Sequence, residues 1–141
     1  MNAAHARFDL ERFVHAQDPV YDEVLRELRG CRKRSHWMWF VFPQIAGLGS
    51  SAMSRRYAIG SRDEAIAYLA HPVLGARLRQ CTRLVLACRD RTARDIFGHP
   101  DDLKFRSCMT LFAAVAAADV FDEALHALFA GTPDPETLAR L

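Results

Sequence analysis

The chain has 141 residues, half of them hydrophobic and 26% charged, the size and balance of one globular domain. A net charge of +2 is too small to argue for nucleic acid. No run of about 18 apolar residues is present to span a membrane. The opening MNAAHARFDLERF lacks the apolar stretch of a secretory signal, so the expected compartment is the cytoplasm.

The elements, taken in chain order, are helical. Asp9 is placed to cap a short helix over 10–16. Asp18-Pro19 starts the next, with a capping carboxylate and a proline at the first helical position. Its apolar stripe is Val20, Val24, Leu25 and Leu28, and 30–33 is its frayed end. Arg29, Arg32, Lys33 and Arg34 favour the negative end of that helix. Ser35 caps a segment that Pro43 ends. It is apolar nearly all round over 36–42, which predicts a buried helix.

A short helix is expected over 51–59. Ser61 and Glu64 form a capping box for 62–70. Pro72 opens a helix with the stripe Val73, Leu74, Leu78, Cys81, Val85 and Cys88, and Gly75 lies in its first turn. Thr92 and Asp95 cap a short helix that Gly98 ends. The longest helix starts at Asp101, with the stripe Phe105, Cys108, Met109, Phe112, Val115 and Ala116. Residues 120–130 follow and stop at Gly131, and Asp134-Pro135 starts a last turn. No segment alternates as a strand would. The expectation is a single all-α domain over 1–141 with about seven to nine short helices.

The cysteines are Cys31, Cys81, Cys88 and Cys108, with no Cys-x-x-Cys pair, which argues against a zinc ribbon. Cys81 and Cys88 fall on one expected helix about 10 Å apart, too far to bond. All four are expected to be reduced, small and mostly buried. The histidines show no ligand spacing, so neither a metal nor a cofactor is expected.

The stretch HWMWFVFPQIAGLGSS, from His36 to Ser51, is the candidate site. Trp37, Met38, Phe40 and Phe42 suit a core, yet two indole N–H groups, His36 and Gln44 need polar partners. Aromatic walls with a few polar groups are what small-molecule sites use. Gly47 and Gly49 let backbone approach a ligand. Ser50, Ser54 and Tyr57 share a helical face beside Arg55 and Arg56, a set able to hold a phosphate or carboxylate. On the long helix, Asp101 suits an N-cap and Asp102 a surface pair with Arg106. A functional role would make Asp102 a general base, with Lys104 binding an anion and Ser107 beside it. The basic run at 29–34 beside Trp37 and Trp39 suits phosphates and bases. However, 19 basic residues against 17 acidic ones favour a solvated helix end, so nucleic acid is not expected as a partner.

HWMWFVFPQIAGLGSSAMSRRYAI, then EAIAYLAHPVLGARL, then DIFGHPDDLKFRSCMTLF resemble, in order, the bacterial family called domain of unknown function 1810. The resemblance covers about 8–129. It implies an all-α fold and no established activity, cofactor or catalytic residue. Some members carry the label calpastatin, but an inhibitor of that kind is a disordered polar chain, whereas this sequence carries a core.

Three functions follow as expectations. The first is binding of an anionic small molecule, nucleotide- or phosphate-like. Trp37 or Trp39 would stack on it, and Gln44, Gly47, Gly49, Ser50, Ser54, Arg55, Tyr57, Lys104 and Ser107 would complete the site. The second is hydrolysis or N-glycoside cleavage of a nucleotide-like substrate, with Asp102 and His36 as the catalytic pair. The third is an interaction module without a pocket, working through an apolar surface. Oligomeric state is not written in the chain.

Overall fold

Each amphipathic helix here carries one apolar stripe, and the stripes meet around two longer helices. The computed structural model describes residues 7–141. The first six residues, part of the stretch expected to lack a secretory signal, lie outside them. The helices among the described residues are α1 (Glu11–Gln17), α2 (Tyr21–Arg29), α3 (Met38–Val41), α4 (Ala52–Arg56), α5 (Arg62–Ala70), α6 (Leu74–Leu86), α7 (Ala93–Phe97), α8 (Asp101–Val115), α9 (Val120–Phe129) and α10 (Pro135–Ala139). A lone parallel bridge joins Ile45 to Ile59, and there is otherwise no extended pairing among the described residues. The fold is a single all-α domain, as the helical periodicity predicts. The ten helices exceed the expected seven to nine because the last turn expected at Asp134-Pro135 is itself a five-residue helix, α10.

Helix α8 packs against α5, α7, α9 and α10, and α6 packs against α2, α5 and α9. The predicted stripe of α8 is the centre: Phe105, Cys108, Met109 and Phe112 are fully buried. Phe105 stacks on Phe97 at 4.7 Å between ring centroids and meets Phe42 edge-on at 5.0 Å. Edge-on and offset pairs of this kind add about 0.5–1.5 kcal/mol beyond the area they bury. No described helix is long and apolar enough to cross a membrane.

Several local expectations change. Asp18 does not cap α2. It closes α1, its N–H donating to Val14, and its carboxylate pairs with Arg77 at 2.7 Å. Helix α2 therefore starts two residues after Pro19. Ser35 does not cap α3 either, because its hydroxyl donates to Glu27, and the buried segment shortens to a single helical turn. Ser61 caps α5 by accepting from the Glu64 N–H, but Glu64 Oε1 reaches back to Gly60 rather than Ser61. Asp101 is not an N-cap. It lies between Lys33 at 2.9 Å and Lys104 at 3.4 Å. Asp102 pairs with His99 at 3.0 Å rather than with Arg106, whose guanidinium donates to the Thr132 and Pro133 carbonyls.

The cysteine expectation fails for half of the set. Cys31 and Cys88, 57 residues apart in sequence, form a disulfide, while Cys81 and Cys108 are free and buried. The bond ties the end of α2 to the end of α6. Spacing along one helix excludes the Cys81–Cys88 pair but says nothing about a partner brought in by packing.

Candidate functional site

The Ile45–Ile59 bridge creates the site. Ala46 N–H donates to the Ile59 carbonyl and Ile59 N–H to the Gln44 carbonyl, both at 2.8 Å. These two bonds pin residues 44–46 beside 58–59. The intervening chain must fold back on itself, and it does so through the Gly47 to Ser51 turn and the five residues of α4. Gly47 has a φ of +99°, and a Cβ there would lie 2.9 Å from Arg140 Nε. A Cβ on Gly49 would lie 2.5 Å from Ser54 Oγ. Gly47 needs glycine for its left-handed backbone, since the Arg140 side chain can shift, and Gly49 for its close approach to Ser54.

The cleft has a volume of about 110 Å³, and Trp39, Gln44, Gly47, Gly49, Ser54, Arg55 and Tyr57 line it. A second groove of about 260 Å³ adjoins it, sharing Gln44, Gly49 and Ser54 and adding Lys104 and Ser107. Lys104 joins the two, with Nζ lying 5.3 Å from the centre of the Trp39 ring, within cation–π range. A typical small-molecule site measures roughly 300–1,000 Å³, so a ligand of that size would lie across both recesses.

The polar groups of the cleft are unspent. Among the described residues, the Trp39 indole N–H, the Gln44 side-chain amide, the Tyr57 hydroxyl and the Arg55 guanidinium have no hydrogen-bond or ion-pair partner. Tyr57 is buried and Trp39 is half-buried. Buried polar groups are mostly satisfied internally, so the buried Tyr57 hydroxyl, together with half-buried Trp39 and Gln44 and exposed Arg55, amounts to a donor and acceptor set open to a ligand. The neighbouring groove is more self-contained. Ser107 Oγ lies 3.1 Å from both the Leu103 carbonyl and Asp134 Oδ2. Asp134 caps α10 through Thr137, and although burial raises its pKa, these hydrogen bonds and Arg106 hold it below the usual carboxylate range.

Other candidates stand elsewhere. Trp37 is not a wall of the cleft. It is 1% exposed, and its indole N–H donates to Glu27 at 3.0 Å; this partner binds it to the core and removes it from stacking. His36 and Ser50 are exposed and line neither recess. Asp102 also lines neither recess, and it is held by His99 at 3.0 Å. Ser51 caps α4 with its own hydroxyl, accepting from Ser54 N–H, so that backbone donor is not open to a ligand. No group of three or more His, Cys, Asp or Glu side chains is disposed to hold a metal ion among the described residues.

Sequence reasoning missed Arg140, which lies over Gly47 from the far end of the chain. It also missed Glu27, 4% exposed, whose carboxylate accepts from Arg34 N–H, Ser35 N–H, Ser35 Oγ and Trp37 Nε1. A glutamate on the polar side of a basic helix end gives no signal of burial. An expectation that Trp37 is core, with an indole to satisfy, is the one clue that an acceptor must be near.

The crystal structure of the conserved hypothetical protein Rv1873 from Mycobacterium tuberculosis is similar, with a TM-score of 0.94 and 54% sequence identity, covering 96% of this chain and 97% of that one. No curated protein matches the chain. The family model described as protein of unknown function DUF1810 matches residues 7–141. The match spans the cleft, the groove and every helix that builds them, and the chain belongs to the DUF1810 family.

Proposed function

We propose that the protein binds a small anionic molecule, of the nucleotide or phosphorylated-metabolite class, in the Trp39 cleft and the groove beside it. The observation that carries this is the set of unpartnered polar groups on one aromatic-walled recess: Trp39, Gln44, Arg55 and Tyr57. Arg55 supplies the charge and a planar fork suited to phosphate or carboxylate. Trp39 supplies a ring face for stacking, with Lys104 lying over the ring and able to meet a second charge. Gln44 offers both a donor and an acceptor, a means of choosing among ligands of one charge. We expect the protein to work in the cytoplasm, where the Cys31–Cys88 pair would exist mostly as two thiols.

The experiment is a thermal-shift screen of nucleotides and sugar phosphates, followed by titration of the best ligand. Binding should raise Tm in the wild type and be lost in Arg55→Ala and Gln44→Ala. It should also quench fluorescence from Trp39, an effect lost in Trp39→Phe and retained in Trp37→Phe. If no anion raises Tm, or if Trp37→Phe rather than Trp39→Phe removes the quenching, the cleft is not the site.

A further inference from the structure

Beside the Trp37 region, the chain leaves α2 and runs without regular structure over 32–34 before a bend at 35 and α3, with exposure alternating from residue to residue. Cys31, at the helix end, adopts φ +56° and turns the backbone out. Along it Lys33 is half-buried and its neighbours Arg32 and Arg34 are exposed. Lys33 turns inward. Its side chain is 8% exposed, it pairs with Asp101, and it lies over the Trp37 ring, while its N–H donates to the Ile96 carbonyl at 2.7 Å. Arg32 and Arg34 turn the other way, into a recess of about 320 Å³ that also takes Arg26 and Arg91.

The charges in that recess are not balanced. Arg26 is paired with Glu23. Glu27 is spent on Ser35, Trp37 and two backbone N–H groups. Arg32, Arg34 and Arg91 form no ion pair or side-chain hydrogen bond among the described residues. Arg91 acts through space on Asp95, which is fully solvent-exposed. Guanidinium groups offer donors only, in a flat fork that matches the oxygens of a phosphoryl group. Their backbones are fixed by hydrogen bonds: Glu27 accepts from Arg34 N–H through its carboxylate and from Arg32 N–H through its carbonyl, and Arg91 N–H donates to the Cys88 carbonyl; in the oxidised protein the Cys31–Cys88 bond also ties the two segments together. We infer that Arg32, Arg34 and Arg91 form a second site, for a ligand carrying two or more phosphoryl groups. The shared chemistry is the phosphoryl oxygen, presented by a free diphosphate or by the backbone of a single-stranded nucleic acid.

The test is calorimetric titration of the full chain with inorganic pyrophosphate at low salt, where phosphate contacts are least screened. The wild type should bind. The double variant Arg34→Ala/Arg91→Ala should bind at least tenfold more weakly while keeping its helical circular dichroism. Arg34→Lys, which keeps the charge and loses the fork, should fall between them. In an Arg55→Ala background, which removes the charge of the Trp39 cleft, the pyrophosphate binding that remains should still be lost on adding Arg34→Ala/Arg91→Ala. Competition by a nucleoside diphosphate and by a short single-stranded oligonucleotide then identifies the source, and displacement by either supports the site. The inference is overturned if pyrophosphate gives no heat, if the double variant binds unchanged, or if Arg55→Ala alone abolishes binding. The last result assigns the phosphate to the Trp39 cleft instead.

Discussion

Glu27 shows how much one side chain organises here. Its carboxylate fixes the path of residues 34 and 35, neutralises the donor of a buried indole and thereby keeps Trp37 in the core. Burial pushes its pKa up, but the hydrogen bonds from Ser35, Arg34 and Trp37 outweigh burial and hold it down at about 2, against an ordinary 4.5. The sign follows from linkage: the unfolded chain binds this proton more tightly than the folded one, so ionised Glu27 stabilises the fold fully above about pH 4.5 and the gain is lost as pH falls towards 2. Glu27→Gln keeps an acceptor for the backbone donors and loses the charge, so it should cost about 1–2 kcal/mol at neutral pH. Urea unfolding of the two proteins from pH 7 down to pH 2.5 checks this. The stability gap should narrow with acid, and a gap that is flat or widens would show that the carboxylate is not held low. In sequence, Trp37 was legible as core and as a donor in search of an acceptor. Which acceptor it finds depends on how α2 and α3 pack, and no local pattern encodes that.

At the scale of elements, the longer helices and their buried stripes follow from periodicity, and Thr92 and Asp95 form the reciprocal cap that their spacing predicts. The starts of α2 and α3 do not follow, because tertiary partners claimed their capping groups: Arg77 took Asp18 and Glu27 took Ser35. Gly75 is a similar case. A glycine in the first turn of a helix costs little and invites no explanation from sequence. In the fold it is where α5 and α6 touch, and a Cβ there would sit 2.2 Å from the Leu69 carbonyl oxygen. Backbone cannot retreat as a side-chain tip can, so the two helices would have to part. Gly75→Ala, which would raise intrinsic helix propensity, should instead destabilise by on the order of 1–3 kcal/mol. Equal or greater stability in chemical unfolding would mean that the α5–α6 contact is looser than this geometry. The cleft was legible to the same degree. Trp39, Gln44, Ser54, Arg55 and Tyr57 lie within one short stretch, so local pattern alone could nominate them, whereas Arg140 comes from the chain's end.

For the molecule as a whole, the Cys31–Cys88 bond is the feature that sequence reasoning had least access to, since it depends on α2 lying along α6. Its consequence is global. A cross-link between residues 57 apart removes conformations from the unfolded chain, and the loop-entropy relation puts the gain at about 4 kcal/mol, with measured values commonly about 2–4. A domain whose total stability is on the order of 5–15 kcal/mol would feel that loss throughout. In the oxidised protein the bond also holds Arg32 and Arg91 on facing segments of one recess and anchors Cys31, whose backbone is left-handed. The oxidised protein should therefore unfold at higher denaturant than Cys31→Ser/Cys88→Ser, by about 2–4 kcal/mol, and adding a dithiol reductant should bring the wild type down to the variant without affecting the variant. The core itself does not depend on the bond: α8 and its aromatic contacts, together with the free and buried Cys81 and Cys108, lie apart from it. The reduced chain should accordingly keep its helical content and a cooperative transition. If reduction leaves the midpoint of the wild type unmoved, the two sulfurs are not bonded in solution. If it abolishes cooperative unfolding, the α2–α6 corner supports the whole domain rather than one recess on it.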